Sequence, residues 1–177
     1  MKKIIFFVLL LVPIAAFSQF IENFNDGLFK GTSGKERSVN WSGDESCFKV
    51  NEHLQLQLNG VDAESPVYLQ TSSALNANAY WNFWIGLGFN PTSSNYAKVF
   101  LISDEADLTS DLNGLFVRIG YTKKSVSLLR AEKGKADKVL IEGSENRLNQ
   151  SSSSLHVKAT LNKAGMLRLY SKLEGET

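Results

Sequence analysis

Cysteine is almost missing from this chain. Cys47 is the only one among 177 residues, which excludes an internal disulfide framework and leaves packing as the source of stability. Set between polar Ser46 and apolar Phe48, it reads as a small half-buried residue rather than a reactive thiol. Histidine is nearly as scarce. His53 and His156 fall on the polar side of alternating segments, so each reads as a solvated strand residue. One cysteine and two histidines make no zinc spacing. There is no glycine-rich phosphate loop and no Gly-x-Ser-x-Gly nucleophile elbow. Neither sign of charge dominates, with 19 Lys and Arg against 18 Asp and Glu. That balance gives no basic footprint for nucleic acid or for an anionic membrane surface. Helical periodicity and internal repeats are absent as well.

The one long apolar run is at the start. Lys2 and Lys3 precede apolar residues 4–12, and Ala16-Phe17-Ser18 follows with small residues at the −3 and −1 positions. The run is shorter than the ~20 residues a spanning helix needs. The pattern is that of a secretory signal peptide, residues 1–18, cut before Gln19. No cysteine follows the cut directly, so this leader offers no lipid-attachment site. Removing it leaves 17 basic against 18 acidic residues, a net charge of −1. The expectation is a secreted or cell-surface protein without integral membrane association. Residues 19–177 suffice for one domain with a real core and are too few for two of ordinary size.

What is present is alternation. In residues 80–89 the odd positions are Trp81, Phe83, Ile85, Leu87 and Phe89, while the even ones are Tyr80, Asn82, Trp84, Gly86 and Gly88. Successive strand side chains point to opposite faces, so this is a strand with one buried and one half-open face. A second strand, 96–103, follows the loop Asn90-Pro91-Thr92-Ser93-Ser94-Asn95. A third, 114–121, follows the acidic loop 104–113. Before this centre, residues 20–24 read as a first strand ended by Asn25-Asp26-Gly27. The loop 28–45 then has Trp41 as its anchor. Further strands are expected at Phe48 and Val50, at 53–59 with Leu54, Leu56 and Leu58 inward, and at 67–71. Beyond the centre they are expected at 125–130, 139–141, 155–161 and 167–170. About ten or eleven short strands, with turns every 8–12 residues or so, predict an all-β sandwich or jelly roll.

The runs Phe24-Asn25-Asp26-Gly27, Trp41-Ser42-Gly43-Asp44, Phe48-Lys49-Val50-Asn51 and Leu54-Gln55-Leu56 carry a family resemblance. So do Trp81-Asn82-Phe83-Trp84, the stretch from Phe89 to Ala97, and Asn113-Gly114-Leu115-Phe116-Val117-Arg118-Ile119-Gly120. Together they resemble the N-terminal concanavalin A-like (laminin G-like) jelly-roll module of secreted bacterial multidomain proteins, some of which carry lamin-tail domains. The resemblance implies a two-sheet jelly-roll sandwich and further domains C-terminal to it, but no activity. Such modules continue with strands that close the sheet beside the first strand. The chain stops at Thr177, inside a turn, so the resemblance implies a truncated domain in which strand 20–24 lacks a neighbour and invites aggregation.

Glycoside hydrolysis needs two carboxylates flanking the sugar bond, roughly 5–9.5 Å apart. None of the three central strands carries an Asp or Glu, and Glu22 and Glu142 stand isolated at predicted strand ends. The expectation is therefore not an enzyme but a secreted recognition module, for glycan or another cell-surface ligand. The alternatives are a structural spacer and, less favoured, a glycoside hydrolase-like enzyme. If the central strands are neighbours, Asn82, Trp84, Lys98, Phe100, Phe116 and Arg118 converge on one open face. Aromatic rings and planar polar groups of that kind bind sugars. The competing expectation is that a loop, with Trp41 a candidate, covers Trp84 and Phe100 as a second small core. Asp104, Asp107 and Asp111 form the one candidate metal loop. Calcium takes about six to eight oxygens, and laminin G-like folds hold it at such a sandwich edge, but a solvated acidic loop with Leu108 and Leu112 tucked inward is the simpler reading.

Overall fold

The computed structural model describes residues 21–59, 65–73 and 78–176. The leader, its cleavage point and Phe20 lie outside them. Among the described residues no helix is long and apolar enough to cross a membrane. The strands are β1 (Ser42–Gly43), β2 (Phe48–Val50), β3 (Leu56–Leu58), β4 (Leu69–Gln70), β5 (Ala79–Leu87), β6 (Ala97–Ser103), β7 (Gly114–Gly120), β8 (Ser125–Ala131), β9 (Lys138–Ile141), β10 (Ser153–Leu161) and β11 (Leu167–Leu173). One short 3-10 turn at Glu45–Cys47 is the only helix among the described residues. The fold is all-β, as the alternation predicts.

Two antiparallel sheets make the body: a four-stranded one in the order β6-β7-β8-β9 and a three-stranded one in the order β11-β10-β5. The odd residues of β5 and β10 and of β11 face the first sheet. There Trp81, Phe83, Ile85, Leu155, Val157, Ala159, Leu167 and Leu169 pack with Val99, Leu115, Val117, Ile119, Val126 and Leu128 in one apolar core. Six of these, Val117, Ile119, Leu128, Leu155, Val157 and Ala159, are sealed from solvent, which makes this shared layer the main source of stability. The arrangement is that of a β-sandwich. Two short ribbons, β1 with β4 and β2 with β3, are built by the N-terminal part of the chain.

That N-terminal part differs from expectation. Residues 21–24 are not a strand: Glu22 Oε1 accepts the Phe24 amide at 2.8 Å, and Phe24 takes a φ of 54°, which breaks an extended path. Arg37 anchors the segment, with Nη2 donating to Glu22 Oε2 at 2.6 Å and Nε 3.2 Å from Asp26 Oδ2. Glu22 is thus paired, not isolated, and no unpaired first strand exists among the described residues. Trp41 meets Phe24 of the N-terminal segment, with ring centroids 6.4 Å apart, and is in neither apolar core cluster. In 53–59 the regular alternation is misleading. Asn51 Oδ1 accepts the amides of His53 and Gln55, Leu54 turns at a φ of 58°, and both Leu54 and Leu58 are exposed. The local Asx turn wins over the strand pattern at 53–55, and the expected strand forms only at Leu56–Leu58.

Candidate functional site

The six residues expected on one open face are divided by the topology. β5 pairs with β10, not with β6. Asn82 and Trp84 therefore sit on the outer face of the three-stranded sheet. Lys98, Phe100, Phe116 and Arg118 sit on the outer face of the four-stranded sheet, across the sandwich. The single converging surface is not formed.

The outer face of the four-stranded sheet is largely closed. Phe100, Phe116 and Leu129 line up across β6, β7 and β8. They form a second small core with Leu108, Leu112 and Ala131. Phe116 is fully buried and its ring lies 5.0 Å from that of Phe100. The cover is the acidic loop 104–113, not Trp41. The cations here are engaged as well: Lys98 lies 4.7 Å over the Phe116 ring and 3.4 Å from Asp137 Oδ2, and Arg118 stacks 4.4 Å from the Tyr121 ring.

The three candidate metal-loop carboxylates do not converge. Asp104 accepts the Asn113 amide at 2.7 Å and its side-chain Nδ2 at 2.8 Å. Asp107 accepts the Thr109 amide and hydroxyl, and Asp111 accepts the Gly134 amide at 2.8 Å. Hydrogen bonds from Asn113 and from Thr109 hold Asp104 and Asp107 below the usual carboxylate range. The carboxylates shape the loop that lids Phe116. Among the described residues no group of three or more His, Cys, Asp or Glu could hold a metal ion.

Near this face lies a polar network that the sequence reading missed. Ser125 and Ser127 of β8 are buried, with hydroxyls 3.0 Å apart, and both donate to Glu142 Oε1, at 3.0 and 2.6 Å. Lys123 Nζ reaches Glu142 Oε2 at 3.5 Å. Glu142 is therefore not isolated; the Ser-x-Ser alternation in β8 was the available signal. The hydroxyls are sealed from solvent, so the network ties the end of β9 to β8. The Ser127 hydrogen bond, then Ser125 and Lys123, lower the Glu142 pKa against the opposing effect of burial. A depressed folded pKa stabilises the fold above the ordinary value of 4.5, and that stabilisation is lost as pH falls through the folded value. Glu142→Gln should therefore flatten the acid limb of the melting temperature against pH. An unchanged acid limb would show that the network contributes nothing to folding.

The outer face of the three-stranded sheet is open and differently composed. The register gives three rows across β5, β10 and β11: Tyr80–Thr160–Arg168, Asn82–Lys158–Tyr170 and Trp84–His156–Lys172. Directly opposed Cβ atoms lie about 4.5–5.5 Å apart, so nine side chains make one continuous surface. Its three aromatic residues are exposed: Tyr80 by 59%, Trp84 by 38% and Tyr170 by 51%. Trp84 is also oriented. Its Nε1 donates to Glu174 Oε1 at 2.9 Å, across the strand between them. The six-membered part of its indole lies over Gly86, where a Cβ would come within 2.9 Å of Cη2. Beside Glu174 a polar groove of about 450 Å³ is lined by Gln150, Ser152, Ser153, Ser154, Gly175 and Glu176, among others. The Ser153 hydroxyl is buried there without a hydrogen-bond partner among the described residues. Asn82 and Trp84 were legible as outward from alternation. Tyr80, Lys158, Tyr170 and Lys172 were missed because their partnership depends on pairing between strands far apart in sequence.

Compared with protein-family models, with curated proteins and with solved structures, the chain has no match, so its functional reading rests on this sheet face and the groove beside it.

Proposed function

We propose that this protein is an exported, non-catalytic recognition module on a concanavalin A-like sandwich, and that it binds glycan on the outer face of the three-stranded sheet. The observation that carries this reading is Trp84, an exposed indole held in one orientation by Glu174 and seated on a glycine. Sugar rings present apolar C–H faces that stack on such a ring, while their hydroxyls need planar or hydroxylic partners close by. Asn82 stands two residues along the same strand, and the serine-lined groove adjoins Glu174. A fixed aromatic also loses little side-chain freedom on binding.

A glycan array probed with the purified chain tests the reading. At least one glycan should bind, and Trp84→Ala should weaken it by about tenfold or more, the scale of an interface anchor. The folding transition should move little, because the side chain is surface-exposed. Absence of any bound glycan, or full retention by Trp84→Ala, would remove the recognition reading in favour of a structural spacer.

A further inference from the structure

We infer that the ligand of this face is an anionic polysaccharide, one bearing carboxylate or sulfate groups along its length. The inference rests on the glycan reading above and adds the charge of the ligand. The three rows hold Lys158, Arg168, Lys172 and His156 and no acidic residue. Lys158 lies on the central strand, diagonal to both Arg168 and Lys172. Arg168 and Lys172 are four residues apart on β11, about 13 Å along the strand. None of the three makes an ion pair among the described residues. Arg168 reaches only the Met166 sulfur, at 3.7 Å.

Eight cations elsewhere on the molecule are neutralised, while others, such as Lys49, Lys138 and Lys163, make no ion pair among the described residues. Lys30, Arg37, Lys98, Lys123, Arg130, Lys133, Lys135 and Arg147 all meet a carboxylate. What sets this face apart is the combination: three cations without an ion pair among the described residues, three exposed aromatic rings and no acidic residue within the rows. The carboxylate of Glu174 borders the rows at the Trp84 end and is tied to the indole. Next to it Glu176 is held by Arg147 at 2.5 Å. The charge pattern therefore runs from cationic rows to a polar, acidic-edged groove. A chain with anionic groups fits over Lys158, Arg168 and Lys172, with an uncharged stretch on Trp84 and the groove. Three cations on a flat patch are too few to follow a nucleic-acid backbone, where affinity comes from many phosphate contacts.

The test is affinity electrophoresis of the full chain in gels containing polygalacturonate, dextran sulfate, neutral dextran or single-stranded DNA. Three variants accompany it: Lys158→Gln/Lys172→Gln, the charge-matched control Lys49→Gln/Lys138→Gln, and Trp84→Ala. The expected result is retardation by polygalacturonate or dextran sulfate, the two arms separating carboxylate from sulfate. Retardation should weaken about tenfold in Lys158→Gln/Lys172→Gln and stay unchanged in the control. It should also fall as salt rises through 0.1 M, where the screening length is about 10 Å. Loss with Trp84→Ala ties the polymer to the aromatic site. If neutral dextran, or only neutral glycans on the array, bind and the lysine variant binds them equally, the glycan reading stands and the anionic inference falls. If the acidic polymers bind no better than DNA and Trp84→Ala is without effect, the attraction is charge alone and both fall. Failure to bind any glycan also overturns both.

Discussion

Phe116→Ala is expected to cost about 3–5 kcal/mol of folding stability, the range for emptying a buried aromatic site. Phe116 has no solvent exposure, although it points away from the main core. It touches Phe100, lies opposite Leu129 and is capped by the loop that carries Leu108 and Leu112. Lys98 spreads over its ring. Removing the ring opens a cavity and at the same time frees the underside of the acidic loop. Chemical denaturation of wild type and variant measures the loss. A change below about 1 kcal/mol, the level of an ordinary surface substitution or a site that collapses well, would mean that the second core is not packed as described. The same residue substituted at a glycan-contacting position would behave oppositely, with small stability loss and large affinity loss, which is the profile expected for Trp84→Ala.

Gly143→Ala is the second large effect, and its cause is space. A Cβ at Gly143 would lie 2.3 Å from the Val126 carbonyl oxygen, with the Val126 backbone carbon and nitrogen at 3.2 and 3.3 Å. The neighbour is main chain of β8, an inner strand of the four-stranded sheet, so it cannot rotate away as a side-chain tip can. Overpacking of this kind costs about 1–3 kcal/mol. Any shift there also pulls on Glu142, the adjacent residue, and so on its bonds to Ser125 and Ser127. Gly88→Ala is the internal comparison: a Cβ there meets nothing within 4 Å, and no left-handed φ is required. It should be neutral or stabilising by about 0.4–1 kcal/mol through the unfolded chain. Equal stability for the two variants, read from their denaturation midpoints, would mean that Gly143 does not lie against Val126.

Both positions belong to the closed, four-stranded sheet. On the four-stranded sheet, outward residues are used for stability: Phe116 is lidded, Lys98 and Arg118 are spent on ring faces, and the serines are sealed. On the three-stranded sheet Trp84 and Tyr170 stay exposed, and Trp84 is held for display. This difference in use, rather than the fold itself, directs the functional reading to one face.

Local sequence determined the strand positions in the body of the protein, because side-chain direction in a strand depends only on parity. Trp81, Phe83, Ile85 and Leu87 faced the core as their spacing required, and the strands predicted from 96 onward formed within a few residues of their expected bounds. Parity also showed that Trp84 and Phe116 point away from that core. It could not say that they point in opposite directions, because that depends on which sheet each strand joins. β5 is followed in sequence by β6 but bonds to β10, some seventy residues on. Sequential strands are neighbours only about two-thirds of the time. The same limit hid the basic and aromatic rows, which exist only through the register of β5, β10 and β11. Side-chain bonds decided the remainder. Asn51 turned residues 53–55 out of the apparent strand and left only Leu56–Leu58 as β3, Glu22 and Arg37 replaced strand pairing at the start, and Ser125 and Ser127 found Glu142. Pairing and hydrogen bonding between residues distant in sequence are tertiary choices, made by the competition of all strands for partners, and no local pattern records their outcome.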